Sequence, residues 1–261
     1  MIISNEKSFW ITNRFGEKLE ALLRKPDKPG QCSSILFLSG LGMDLHEDEN
    51  SFDEISQLLV TNNFLTLQFS FAGRGKSAGN YEKMTFEHQA RQIEDVLYWL
   101  QNYDDVDKKH IGIVAQSCGA PSTLLTTISG VKSVFFISGE FNTYANLKRK
   151  FIERHTYNPT DISIYPFSNG TKINLNKTFW ENLSQYKEME CVKKFNLPVF
   201  IAQGTADDYV SPIDAHHAFK LFPNQQKQIK LYPNGDHGLG NPPNVRKELL
   251  QNIVQWFTST V

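Results

Sequence analysis

Three residues of types that cooperate in nucleophilic catalysis each follow a short apolar run. Ser117 comes directly after Ile111–Gln116 (IGIVAQ), within the stretch AQSCGAPS. Asp207 stands in GTADDYV, just past LPVFIAQ, and His237 stands in a Gly-rich stretch, GDHGLG, just past IKLYPN. A serine hydroxyl is a weak nucleophile near neutral pH. It needs a base to take its proton and a carboxylate to hold that base in the right tautomer. The chain order Ser, Asp, His is the order found where the serine sits on a sharp strand-to-helix turn.

The AQSCG stretch fits such a turn. Ala115 and Gly119 place small residues two positions either side of Ser117, where a tight turn leaves no room for larger side chains. Cys118, one step on, points elsewhere. Its useful group is the backbone N–H, which sits at a helix start where a developing negative charge is favoured. Its thiol reads as a small buried side chain. Plainer readings stand beside these. Ser117 can be an ordinary helix N-cap, and His237 can cap a turn. Asp208 rivals its neighbour Asp207, although the spacing Gly204-x-x-Asp207-x-x-Val210 favours Asp207.

These residues need a frame to position them. Apolar runs at 34–39, 64–69, 111–115, 131–137, 198–203 and 228–232 show little polar alternation. That is the pattern of strands buried on both faces of a parallel sheet. Phe86, Ala90, Ile93, Leu97 and Leu100 make one face of a helix that begins after Thr85, a plausible N-cap. Val245, Leu249, Ile253 and Trp256 do the same near the C-terminus. The opening stretch, SFWITNRFGEKLEALLRKP, reads as a hairpin turning near Asn13–Gly16. Together these predict an α/β fold, a mostly parallel sheet with helices on both faces. Residues 141–192 break the rhythm with no clear central strand. They read as a cap inserted into a single domain of 261 residues. Tyr144, Phe151, Phe167, Phe179 and Trp180 there either line a pocket or pack the cap onto the body.

Composition narrows the function. Lys and Arg number 27 against 28 Asp and Glu, so no net field draws in nucleic acid or anionic lipid. No basic stripe interleaved with aromatics appears, so a nucleic-acid partner is not expected. No apolar run approaches the roughly 20 residues that span a bilayer. Three cysteines, widely spaced and with no CxxC, argue against a disulfide framework or a zinc site and predict a reducing, cytoplasmic setting. The opening MIISNEKSFW lacks a basic and then apolar leader. The acidic run around His46, HEDENSFDE, reads as a solvated segment before a helix rather than a metal site.

The whole pattern resembles the α/β-hydrolase superfamily, and within it small serine esterases of the cinnamoyl/feruloyl-esterase and serine-aminopeptidase-like group. The resemblance covers nearly the whole chain: SGLGMD (39–44), FSFAGRGKSAG (69–79), AQSCG (115–119), GTADDYV (204–210) and GDHGL (235–239). It implies an α/β-hydrolase fold with a small lid and a Ser117–Asp207–His237 triad. It further implies an oxyanion hole of the Leu41 and Cys118 N–H groups, and it implies no metal or organic cofactor. The implied substrate is a small-molecule ester, with a thioesterase, amidase or peptidase as variants on the same triad. A hydrolase fold used as a silent binding module is the reading from another class. The chain departs from the group at Ser39, where His is usual, at Ser70 for Asp, at Ala72 for Arg, and at Ala115–Gln116 for Gly-His. The oligomeric state is left open.

Overall fold

The computed structural model describes residues 5–167 and 170–261. The chain opens with β1 (Glu6–Thr12) and β2 (Lys18–Arg24), an antiparallel hairpin. Then follow β3 (Cys32–Leu38), α1 (Ser51–Thr61), β4 (Leu65–Phe69), α2 (Phe86–Gln101), β5 (Val106–Gln116), α3 (Gly119–Leu125) and β6 (Val131–Ile137). Next come α4 (Thr143–Glu153), the strands β7 (Ser163–Pro166) and β8 (Lys172–Leu175), α5 (Lys177–Gln185) and α6 (Glu188–Lys194). The chain ends with β9 (Val199–Gly204), α7 (Pro212–Leu221), β10 (Lys227–Tyr232) and α8 (Pro243–Thr260).

Eight strands form one sheet in the order β1-β2-β4-β3-β5-β6-β9-β10. β1–β2 and β2–β4 pair antiparallel, and every later pairing is parallel. The apolar runs are therefore buried on both faces. Leu36, Ile113 and Phe136 point into one layer, and Ile35, Val114 and Phe135 into the other. α2 closes the first layer with Ile93, Val96, Leu97 and Leu100, its start fixed by Thr85, whose hydroxyl accepts from the His88 N–H at 3.1 Å. α8 closes the second layer with Val245, Leu249, Ile253 and Trp256. The hydrophobic spacing named both faces.

Two parts of the architecture differ from the sequence pattern. β5 begins at Val106, five residues before its apolar run. Val106 is buried and pairs with Cys32 at the start of β3, and the polar Asp107–His110 are half-buried to exposed where the register to β3 shifts between Cys32 and Ser34. Residues 141–192 add no strand to the eight-stranded sheet. They contain the antiparallel pair β7–β8, a second small sheet of four-residue strands. α4 and α5 pack with this pair, whereas α6 packs on α3 and α7 and buries Val192 in the core of the main body. Among the described residues no helix is long and apolar enough to cross a membrane.

Candidate active site

Ser117 sits on the turn between β5 and α3 at a φ of 50°, in the left-handed region that a residue with a Cβ rarely adopts. The surrounding backbone enforces it. The Ser117 N–H donates to the Ile137 carbonyl at 3.0 Å, and the Ser117 carbonyl accepts from Ala120 and Glu140, each at 3.0 Å. Gly119 must be glycine, because a Cβ there would lie 2.5 Å from the Leu38 carbonyl oxygen of β3. Ala115, wholly buried, is as small as the turn demands.

Asp207 and His237 come from loops at the same edge of the sheet, after β9 and β10. The loops lie backbone against backbone, since a Cβ on Gly204 would collide with the Gly235 carbonyl. His237 Nδ1 faces the Asp207 carboxylate, 2.9 Å from Oδ2 and 3.1 Å from Oδ1. The carboxylate is fixed from the other side. Oδ1 accepts from the N–H groups of Tyr209 at 2.8 Å and Val210 at 2.9 Å, and Oδ2 accepts from Gln203 Nε2 at 2.9 Å. The rival Asp208 points away. Its side chain is 75% exposed and lies 3.6 Å from Lys150 Nζ.

Electrostatics follow from this packing. Burial works to raise the Asp207 pKa, but the hydrogen bonds and charges of His237, Val210 and Gln203 hold it below the ordinary carboxylate value. Burial works to lower the His237 pKa, and the bond to Asp207 outweighs it, helped by Glu140 and Glu47, so the imidazole sits above its ordinary value. The Cys118 thiol is buried and pushed well up by burial, then by the charges of Glu140 and Glu188. A thiolate is disfavoured there. Of the two adjacent residues, the serine therefore stays the candidate nucleophile.

Ser117, Cys118, His237 and Leu41 line one cavity of about 780 Å³, together with Tyr165, Phe167 and Tyr209. Among the described residues, neither the Leu41 nor the Cys118 backbone N–H donates to another protein group. The loop that carries Leu41 is held in place. Gly42 N–H donates to the Tyr81 hydroxyl at 2.7 Å, Leu45 N–H to Ser70 Oγ at 2.9 Å, and Gln68 Nε2 to the Leu45 carbonyl at 2.7 Å. Ser70 and Ala72, two of the departures from the pattern that the sequence resembles, thus keep a bonded loop. The Ala72 N–H donates to Gln92 Oε1 at 2.8 Å. Ser39 Oγ is buried with no hydrogen-bond partner among the described residues.

Sequence reasoning missed several residues of the site. Glu47 lies in the acidic run read as solvated, yet it is buried, at a φ of 62°, with Oε2 accepting from the Gly40 N–H at 2.6 Å. Burial pushes its pKa up to about 7. Glu140 is also buried, accepts from Asn146 Nδ2 at 2.8 Å, and is pushed up to about 7 by burial. The sequence signal for both was slight: Glu47 stands three residues past SGLGMD, and Glu140 stands just past the apolar run 131–137. Among the named cap aromatics, Phe167 lines the cavity. Phe151, Phe179 and Trp180 pack in the core beneath it, and Tyr144 is exposed away from it.

A third buried acid gives a pH prediction. Glu188 accepts from the Thr143 N–H and hydroxyl, at 2.8 and 2.6 Å, and burial with the Glu140 charge pushes it up to about 8. The folded chain holds this proton to higher pH than the unfolded chain. The stabilisation is therefore full below the ordinary Glu pKa and is lost as pH rises through about 8. Glu188→Gln cannot ionise. Its Tm relative to wild type is expected to improve by roughly 5 °C between pH 5 and pH 9. A difference that stays constant with pH would contradict this.

The sheet order, the turn at Ser117 and the loops at the strand ends define a serine hydrolase of the α/β-hydrolase fold. The model of the prolyl oligopeptidase family matches residues 50–261, and the chain belongs to that family. A comparison with curated protein sequences gives no match. Among solved structures it is similar to the ferulic-acid complex of Est1E from Butyrivibrio proteoclasticus, with a TM-score of 0.78 and 20% identity over 97% of this chain and 100% of that one. It is also similar to the esterase domain of a Rhodothermus marinus protein, with a TM-score of 0.73 and 19% identity over 97% of each chain. The Pyrococcus furiosus esterase Pf2001 gives a TM-score of 0.73 and 16% identity over 98% of this chain and 93% of that one. At these identities the likeness shows the fold.

Proposed function

We propose that this chain hydrolyses a small-molecule carboxylic ester through an acyl-enzyme on Ser117, with His237 as base and Asp207 as its orienter. The observation that carries the reading is the saturated Asp207 carboxylate against Nδ1 of His237, a residue that lines the same cavity as Ser117. With Nδ1 holding its proton toward Asp207, Nε2 is the basic nitrogen. It takes the Ser117 Oγ proton as Oγ attacks the acyl carbon. The oxyanion is stabilised by the N–H groups of Leu41 and Cys118, each donor worth about 3–4 kcal/mol in related sites. The C–O bond to the alcohol then breaks, and the imidazolium returns its proton to the leaving oxygen. Water, deprotonated by Nε2, releases the acid and restores Ser117. Within residues 141–192, β7 and β8 with α4 and α5 act as the cap that shapes the pocket, through Tyr165 and Phe167.

The ester reading draws support from structural neighbours described as esterases. The family match favours a second reading, a peptide or amide bond cleaved by the same residues. Turnover of an ester, a thioester and an amide of one acyl group separates them. The ester reading predicts a burst of about one alcohol per chain and a matching acyl mass increase on the intact protein. Amide cleavage that exceeds ester cleavage would favour the second reading. No turnover of any would leave a silent fold.

A further inference from the structure

We propose that Arg154, with Lys150 beside it, docks an anionic group of the substrate, so that the preferred ester carries a carboxylate about one aromatic ring away from the catalytic imidazole. This rests on the esterase reading and adds the substrate class to it. Arg154 closes the C-terminal end of α4 and lines the same cavity as Ser117 and His237. Its guanidinium lies 4.4 Å from the Tyr165 ring centroid and 6.0 Å from that of Tyr209. The Tyr209 ring is 4.9 Å from the His237 ring, so a single tyrosine separates cation from base.

The cations of the cavity wall differ in what already holds them. Arg246 is held by Glu54 at 2.6 Å and by the Ser51 carbonyl. Lys150 is nearly buried, its Nζ 4.5 Å from the Tyr209 ring and 3.6 Å from both Glu153 and Asp208. Among the described residues, Arg154 pairs with no carboxylate and donates only one long bond, 3.3 Å, to the Lys150 carbonyl. A guanidinium has five donors in a rigid fork suited to a carboxylate, and its contact with the Tyr165 ring uses none of them. The acids of the cavity do not cancel this charge. Glu54 belongs to Arg246. Asp236 is taken up by the Gly240 N–H at 2.8 Å and by Asn241, and Asp48 and Glu49 are exposed to water. Glu47 and Glu140 are buried carboxyls at the catalytic end.

Two matched ester pairs test the proposal and tell the acyl side from the alcohol side. The acyl pair is the 4-nitrophenyl monoester of glutaric acid against 4-nitrophenyl valerate. The alcohol pair is 4-acetoxybenzoate against 4-acetoxybenzamide. In one pair, kcat/KM for the anionic member is expected to exceed that of the neutral one by about tenfold or more, mostly in KM, and to fall with added salt. Arg154→Gln is expected to remove that preference, and Arg154→Lys, which keeps the charge without the fork, to keep part of it. Binding of monomethyl glutarate and 4-acetoxybenzoate to Ser117→Ala, followed by calorimetry, reads the same preference without turnover. Anion binding that is lost in Ser117→Ala/Arg154→Gln supports the assignment even if wild type hydrolyses nothing, and only the esterase reading then falls. No anion preference in either pair, no binding, or a preference unchanged by Arg154→Gln overturns it.

Discussion

Ser117→Ala is expected to lower kcat for an aryl ester by about 10⁶-fold, the loss typical when the nucleophile of an interdependent triad is removed. The chain should stay folded. The turn is held by backbone bonds to Ile137, Ala120 and Glu140, and none of them uses the hydroxyl. Alanine has a Cβ like serine and meets the same strain at a φ of 50°. The melting curve should therefore shift little, and it can rise where a strained polar site is simplified. Turnover within tenfold of wild type, in a protein with an unchanged melt, would remove Ser117 from the reaction.

Asp207→Asn is the second large effect, about 10⁴-fold in kcat. The reason is the hydrogen-bond pattern around the carboxylate. Oδ1 accepts from two backbone N–H groups, Tyr209 and Val210, so an asparagine must place its carbonyl oxygen there. Its NH₂ then faces His237 Nδ1 and Gln203. The imidazole is forced to accept at Nδ1 and carry its proton on Nε2, where it cannot take one from Ser117. The same change removes the main group that raises the His237 pKa, so any residual activity should have its acid limb at lower pH. Asp208→Asn removes an exposed charge 3.6 Å from Lys150 and is expected to change kcat less than about threefold. The reverse order of effects would transfer the role to Asp208.

The choice between these neighbouring aspartates marks where the sequence stops being legible. The Gly-x-x-Asp-x-x-Val spacing favoured Asp207, but only the loop geometry separates the two, with one carboxylate wholly buried on His237 and the other in water. The strands were legible because a parallel sheet buries both faces and leaves unbroken apolar runs. The start of β5 was not, since the polar run Asp107–His110, at a shift in register to β3, separates Val106 from the apolar run. β7 and β8 were not either, because four residues carry too little periodicity. Glu47 is the sharpest case. Its neighbours in HEDEN are polar and mostly exposed, and its burial depends on Gly40, seven residues away, turning its N–H inward. Arg154 gave no signal, because its role depends on Tyr165 and Tyr209 meeting it from separate segments.

An activated Ser117 can be trapped covalently. Treating wild type and Ser117→Ala with a small fluorophosphonate, followed by peptide mapping, tests it most directly. One phosphonyl group per chain is expected, on Ser117, formed faster as pH rises through the His237 pKa, and none on Ser117→Ala. Labelling at another residue, or a folded wild-type chain that reacts no faster than free serine, would contradict it.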